Sequence, residues 1–490
     1  EAFTATASSS AEDFVIDELI QCPAGSRPTA RLIYGVDVRA GLKMLEDDSV
    51  DTVITSPPYW GLRDYDGPEQ IWGGKPRCKH DWSDSTRTIE QGNKRKPKDR
   101  DRKNPRGQEK GSPKTRVIHC GECLKCGAWR GKLGLEPTPE MFIEHLADIF
   151  DEVWRVLKPT GTIWVNLGDS YASNAGGGPG DAIAGDLYER KNRLHRRRAT
   201  VAGELKHKDL VGIPWSFAFE MRARGWYLRS DVIWAKPNPM PESVVDRPTK
   251  SHEYLFLMSK SRRYFYDIEG YAEAATGRAP GHHESKYEDA YAERAEHLRT
   301  KVGLSKIQGR PTRNRRTVWT VSTKPYAGAH FAVFPPDLIE PCVLAASSEH
   351  GCCSKCGAPW ERRVGHGDIV ATGGSATGAR TSNMAVASPL GQDPTKSAYN
   401  TGEFIQRERV TLGWDPTCAC DADKTLPTVL DPFSGTATVG QVCFTHGRNY
   451  LGIDLDESNL ELARRRLFGR DPKRSKREPE QQVRLFDDPT

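Results

Sequence analysis

Two consecutive prolines close an apolar run at Val53-Ile54-Thr55-Ser56-Pro57-Pro58-Tyr59-Trp60, and no other feature restricts so tightly what this chain can build. Proline has no N–H for a ladder and cannot continue a helix, so a strand over Val50 to Thr55 must stop at Ser56. Tyr59 and Trp60 are then carried on a stiff loop, an arrangement that can hold a flat ring. Upstream, Arg31 to Tyr34 reads as a short strand, Asp37 follows it, and Leu42 and Leu45 share one face of a helix. A strand, helix, strand unit predicts an α/β sheet. Ligands of open α/β sheets gather at the carboxyl ends of the strands, which is where Ser56 stands.

At 490 residues the chain can hold several domains, or one large domain with insertions. Hydrophobic residues make up 37% and charged residues 28%, enough for a sizeable core beneath a very polar surface. The formal charge of +5 is modest, but it is unevenly spread: Lys94 to Arg116 carries eleven Lys or Arg against three Asp or Glu, and Arg190 to Arg198 is again basic. Such stretches suit phosphate contact. No apolar run approaches the roughly 20 residues of a membrane span. Glu1 to Ala11 is small and polar rather than a signal peptide, so a cytoplasmic protein without membrane contact is expected.

Most of the twelve cysteines fall in close pairs, a pattern that suits metal better than disulfides in such a compartment. Cys78-x-His80 with Cys123-x-x-Cys126 makes one expected structural Zn2+ site, and Cys353-x-x-Cys356 with Cys418-x-Cys420 a second. Cys120 and Cys352 compete as ligands. Between these clusters, helices are expected over Thr138 to Leu157 (ended by Gly161), Pro214 to Arg224 and Pro335 to Ala346. Strands are expected at Thr162 to Leu167, Tyr227 to Trp234, Glu253 to Met258, Tyr264 to Tyr266 and Thr428 to Leu430.

Val429 to Gly440 is a strand, a small-residue loop (Asp431-Pro432-Phe433-Ser434-Gly435-Thr436) and a helix start, a form that lets backbone amides approach a ligand. Some 20 residues on, Tyr450 to Asp454 is a second strand ending in a carboxylate placed for the hydroxyls of a ribose. With Ser56-Pro57-Pro58-Tyr59 earlier in the chain, these residues resemble the S-adenosylmethionine-dependent amino-group DNA methyltransferases. The resemblance is to the permuted, beta-type arrangement in which the catalytic tetrapeptide precedes the cofactor loop. The segments Asn166 to Tyr171, Trp234 to Pro239, Thr249 to Glu253 and His330 to Pro335 look like further blocks of the same family.

The resemblance implies a Rossmann-like, mixed seven-stranded α/β sheet with zinc-binding insertions. It implies catalytic roles for Ser56, Pro57, Pro58 and Tyr59, and cofactor contacts at Asp37, Phe334, Pro335, Asp431, Phe433, Ser434, Gly435, Thr436 and Asp454. Ser56 Oγ and the Pro57 carbonyl are expected to take the amino hydrogens of a flipped base, with Tyr59, aided by Trp60, stacking on its ring. Serine at the first tetrapeptide position favours cytosine N4, with adenine N6 as the alternative. Methylation of protein glutamine and a catalytically inactive zinc-bearing DNA-binding protein are lesser alternatives. Cytosine C5 chemistry would need Cys342, whose helical spacing with Leu338 and Ala345 marks it as a core residue.

The implied organisation is a disordered segment at 1–30, core at 31–60, a zinc-binding basic insertion at 61–134 and core at 135–171. A basic DNA-contact loop at 172–208, core at 209–267, a target-recognition region at 268–316 and core at 317–351 follow. A second zinc insertion at 352–420, the cofactor-binding core at 421–467 and a disordered tail at 468–490 complete it. Expected partners are double-stranded DNA, a cognate restriction endonuclease, and a replication sliding clamp held through Gln482 to Phe486.

Overall fold

Short β-branched and aromatic runs, each bounded by a turn or a helix cap, assemble into one large sheet. The computed structural model describes residues 16–21, 28–62, 67–84, 87–91, 114–118, 121–172, 205–274, 312–323, 333–372 and 404–468. The chain divides into two units, Glu1–Tyr264 with Val318–Glu340 and Thr428–Thr490, and Phe265–Thr317 with Pro341–Pro427.

The first unit holds a sheet of nine described strands: β1 (Ile16–Gln21), β2 (Thr29–Tyr34), β3 (Val50–Thr55), β4 (Leu157–Leu167), β5 (Tyr227–Ala235), β6 (His252–Ser259), β7 (Val318–Thr320), β8 (Thr428–Asp431) and β9 (Asn449–Asp454). Their order is β1-β2-β9-β8-β3-β4-β6-β5-β7. Neighbours from β2 to β4 run parallel, β6 is antiparallel to both β4 and β5, and β7 is parallel to β5. Without the edge strands β1 and β7 this is the expected mixed seven-stranded α/β sheet. Strand β1 corrects the expectation of a structureless start: Ile16 to Gln21 pairs antiparallel with β2, and Arg31 clamps Asp17 at 2.8 Å across the pair.

The helices are α1 (Val38–Lys43), α2 (Pro139–Val156), α3 (Ile213–Ala223), α4 (Pro336–Ala346), α5 (Thr438–Thr445) and α6 (Asn459–Phe468). Helix α2 starts where Thr138 Oγ1 accepts from Met141 N–H at 3.2 Å, with Pro139 in the first turn. Its face of Phe142, Leu146, Ile149, Phe150 and Val153 is fully buried, each side chain contributing roughly 1.5–3 kcal/mol. Phe150 meets Phe217 of α3 edge-on at 5.3 Å. The helix ends at Val156 rather than at Gly161. The next residues already belong to β4, and a Cβ at Gly161 would stand 2.5 Å from the Leu157 side chain. Tyr264 to Tyr266, expected as a strand, is irregular.

The second unit carries a long hairpin, Trp360–Thr372 with Phe404–Pro416, and short pairs at Cys352–Cys353 with Lys424–Thr425 and Glu273–Ala274 with Thr312–Arg313. Arg362 organises it. Its guanidinium pairs with Asp267 at 2.9 Å and with Glu349, and lies 4.3 Å over the Trp414 ring. The sequence reading kept 268–316 and 352–420 apart, whereas here both fall in this unit. Cys342 is fully buried and its thiol pKa is pushed up by burial, as a core cysteine requires.

Most of the basic stretches, Cys120, His330 to Ala332 and Gln482 to Phe486 lie outside the described residues. Among the described residues no helix is long and apolar enough to cross a membrane.

Candidate active site and metal-ligating clusters

Because β2, β9, β8, β3 and β4 are parallel, their carboxyl ends share one edge of the sheet. Tyr34, Asp454, Asp431, Thr55 and Leu167 end these strands there. Strand β6 enters at the same edge with His252 and Glu253, opposite Ala235 and Trp234 of β5. Segments far apart in the chain therefore converge.

The β9 and β8 side of this edge is built from backbone and small residues. Asp431, fully buried, accepts from Thr55 Oγ1 at 2.6 Å and from Phe433 N–H at 3.1 Å, which ties β8 to β3 just before Ser56. Burial lifts its pKa to about 7 against these two donors. Ser434 Oγ lies 2.7 Å from the hydroxyls of both Tyr34 and Tyr450. Asp454 accepts from Gly435 N–H at 2.6 Å, Asp456 N–H at 2.9 Å and Asn459 Nδ2 at 3.3 Å, and burial of its carboxylate raises its pKa to about 6. Gly435 and Ala437 both have positive φ, +50° and +58°. A Cβ on Gly435 would meet no atom within 4 Å, so the loop is open there. Thr436 Oγ1 is buried and has no hydrogen-bond partner among the described residues.

The β3, β4 and β6 side is built from long side chains. Ser56 Oγ donates toward the Tyr59 hydroxyl at 3.4 Å. That hydroxyl has Asn166 Oδ1 at 3.0 Å and Glu253 Oε2 at 2.8 Å as acceptors. The other oxygen of Glu253 takes Lys236 Nζ, which also lies 4.1 Å over the Trp234 ring. Asn166 is held in turn by the Tyr254 carbonyl at 3.0 Å. Gly168 makes room for the tyrosine, since a Cβ there would come within 2.6 Å of the Tyr59 ring.

Trp60 corrects its expected stacking role. It is 3% exposed, and its Nε1 donates to the Glu136 carbonyl at 2.9 Å. Glu136 also accepts from Gly134 N–H at 2.8 Å and pairs with buried His145 at 3.1 Å, while Gly61 N–H donates to Gly134 O at 2.8 Å. Trp72 stacks on His145 at 5.0 Å. The loop after Ser56 thus rests on the end of the first insertion. The Glu136–His145 and Lys236–Glu253 pairs were not singled out from sequence, and only the blocks at Trp234 to Pro239 and Thr249 to Glu253 gave a signal for the latter.

Asp37 caps α1, accepting from Arg39 N–H at 2.8 Å, and ion-pairs with the same arginine at 2.9 Å. Arg39 in turn lies 3.9 Å over Trp72. Asp37 stands at the right edge, with its carboxylate already engaged. Phe334 and Pro335 lead into α4, half-buried and buried respectively, and no described hydrogen bond joins them to Asp431 or Asp454.

All eight expected metal ligands come together in two sets of four, Cys78, His80, Cys123 and Cys126 in the first unit and Cys353, Cys356, Cys418 and Cys420 in the second. Within each set the ligand atoms lie within 4.8 Å of one another. The two knuckles are local copies. Gly127 (φ +75°) and Gly357 (φ +71°) donate to the carbonyls of Cys123 and Cys353 at 2.9 and 2.8 Å. At Cys123, burial favours the thiol, but the Asp81 amide, His80 and the amides of Lys125 and Cys126 outweigh it and bring the pKa down to about 5. Either set can hold one thiophilic cation. Cys352 belongs to neither cluster; it pairs in a strand with Thr425.

A family model described as DNA methylase, for N6 and N4 amino groups, matches residues 50–370. Among curated proteins, the chain is 32% identical over 439 residues to the Type II methyltransferase M.Cfr9I of Citrobacter freundii, covering 90% of this chain and 88% of that protein. It is 29% identical over 456 residues to M.SmaI of Serratia marcescens, covering 93% and 97%. A solved structure that it resembles is the PvuII DNA methyltransferase (cytosine-N4-specific), with 12% identity, a TM-score of 0.38 and coverage of 91% and 97%.

Proposed function

The chain belongs to the N6/N4 DNA methylase family, and from that premise we propose that it transfers a methyl group from S-adenosylmethionine to the exocyclic N4 of a cytosine flipped out of double-stranded DNA. The observation that carries this reading is the juxtaposition, through the 2.6 Å Thr55–Asp431 bond, of the Ser56 to Tyr59 loop and the Asp431 to Gly435 loop. Cytosine N4 rather than adenine N6 rests on Ser56, by resemblance to relatives with serine at that position.

The residues fit such a cofactor. The loop is open at Gly435, Thr436 Oγ1 is a buried hydroxyl in want of a partner, and three of the roughly four lone-pair sites of Asp454 are taken, which leaves room for a ribose hydroxyl. When bound, S-adenosylmethionine supplies an electrophilic methyl on a sulfonium.

An exocyclic amino nitrogen is a weak nucleophile because its lone pair is delocalised into the ring. Acceptors aimed at its hydrogens favour the more tetrahedral nitrogen that can attack. Ser56 Oγ, whose own hydrogen points to Tyr59, keeps lone pairs for one amino hydrogen, and the Pro57 carbonyl is stiffened for the other by the proline ring. The hydroxyls of Ser56 and Tyr59 lead to the Glu253 carboxylate and give the displaced proton a path away from the base. Tyr59 offers its ring to the flipped base and offsets part of the few kcal/mol that extrusion costs.

The two four-ligand clusters hold structural zinc in this reading, one ion each. Elemental analysis of protein purified without chelator should return about two zinc per chain, and none would remove the metal from the account. That the relatives are named Type II methyltransferases supports pairing with a restriction endonuclease. The test of the reaction is to methylate plasmid DNA with labelled cofactor and identify the modified nucleoside by mass spectrometry. N4-methylcytosine is expected; N6-methyladenine would transfer the assignment to adenine, and an unlabelled plasmid would refute methylation.

A further inference from the structure

Among the described residues, Lys250 Nζ at the catalytic edge has no hydrogen-bond partner. Lys250 stands on the approach to β6, three residues before Glu253, and its Nζ is buried with no hydrogen bond. Three carboxylates lie near enough to act on its charge, Asp169, Glu253 and Glu242. Each is engaged elsewhere. Asp169 accepts from the N–H groups of Ser170, Gly212 and Ile213 at 3.0 to 3.1 Å. Glu242 takes Arg247 at 2.7 Å and the Lys250 backbone N–H at 3.3 Å. Glu253 is divided between Tyr59 and Lys236.

A buried ammonium with three unused donors is costly unless an acceptor arrives. Burial lowers its pKa and the surrounding carboxylates oppose that, so the site invests charge in a group the protein does not satisfy.

The substrate brings the acceptor. Along its Watson–Crick edge cytosine presents a donor at N4, an acceptor at N3 and a carbonyl acceptor at O2. Adenine presents a donor at N6, an acceptor at N1 and then a carbon-bound hydrogen. With the amino group at Ser56, the row Ser56, Tyr59, Glu253, whose members follow one another at 3.4 and 2.8 Å, leads along that edge to Glu253, one of the three carboxylates that act on Lys250. We propose that Lys250 Nζ donates to the O2 carbonyl of the flipped base and so makes the pocket select cytosine over adenine. This rests on the cytosine N4 reading above. The lysine reaches the base by rotation of its own four-carbon stem, and a polar site left unpaired by the wrong base discriminates far more strongly than an apolar one.

The test uses full-length protein and duplexes carrying cytosine, adenine or a 2-aminopyridine C-nucleoside at the target position. The last keeps the amino group and ring nitrogen but lacks the carbonyl. Product identification with wild-type enzyme comes first, and N6-methyladenine there would overturn both this inference and the reading beneath it. Given N4-methylcytosine, Lys250→Met should bind the cytosine duplex about 100-fold more weakly in the presence of demethylated cofactor. The adenine and carbonyl-free duplexes should bind wild type and variant alike, so that the two deletions are not additive. Lys250→Gln, which keeps a donor, should recover part of the loss, and thermal melting confirms that each variant folds. Equal weakening on all three duplexes, with the salt dependence reduced by about one phosphate contact, would place Lys250 on the backbone and overturn the proposal. Unchanged binding of cytosine DNA by Lys250→Met would also overturn it, as would an additive double deletion.

Discussion

The two halves of the catalytic edge are made of different materials. On the cofactor half, Asp431, Ser434, Gly435 and Asp454 are joined by backbone N–H groups and short side chains. On the base half, Tyr59, Asn166, Lys236 and Glu253 reach across the ends of four strands with long side chains, and Lys250 adds a charge without a hydrogen-bond partner among the described residues. In the function proposed above, the first half is a shape that accepts one unvarying ligand. The second is a set of donors and acceptors that can be re-specified one residue at a time. Damage to each half should therefore appear in a different binding constant.

Breaking the base half should have the largest effect. Glu253→Ala strands the Lys236 ammonium and releases the Tyr59 hydroxyl, so kcat/KM for DNA should fall on the order of 100-fold or more while cofactor affinity measured by calorimetry stays unchanged. Loss of cofactor binding instead would erase the division. Asp454→Ala should do the converse, weakening the cofactor about 10- to 100-fold with DNA affinity intact in a gel-shift titration.

A smaller effect is expected at Ala437, whose φ of +58° an L side chain adopts at a cost of about 1–2 kcal/mol. Ala437→Gly should raise the melting temperature by a few degrees, and a lower one would show that its buried methyl matters more than its backbone strain. A further effect is electrostatic and is read from the pH dependence rather than at any single pH. Asp431 and Asp454 have folded-state pKa values near 7 and 6, above the roughly 3.9 of an unfolded aspartate, so between pH 4 and 7 the folded chain holds more protons. Stability should therefore fall as pH rises through that window, and Asp431→Asn, which keeps an acceptor for Thr55 and Phe433, should flatten the upper part of the slope. An unaltered slope in denaturant titrations would contradict the Asp431 shift.

The same contrast explains what was legible in the sequence. The cofactor half is contiguous from Asp431 to Thr436, with one carboxylate some 20 residues on, and a contiguous motif declares itself. The metal clusters were legible for the same reason, since each pair is local and only the pairing of pairs required the fold. The base half is assembled by register. Glu253 faces Trp234 across the β5–β6 pair, and nothing in either segment alone reveals that Lys236 and Tyr59 meet on it. The burial of Trp60 is not legible in the sequence because it depends on Gly134 and Glu136, which return from the far end of an insertion. Strand β1 is not legible in the sequence because Ile16 to Gln21 is half polar and without strict alternation, and it gains its place from pairing with β2 at the sheet edge.

The central claim is that Ser56 acts on the amino group while other residues do the binding. The direct measurement is a single-turnover methylation by Ser56→Ala at saturating DNA and cofactor. A rate lower by about 100- to 1,000-fold is expected, the cost of one acceptor aimed at the transition state, with both dissociation constants unchanged. A rate equal to wild type, or a loss that saturating substrates restore, would contradict it.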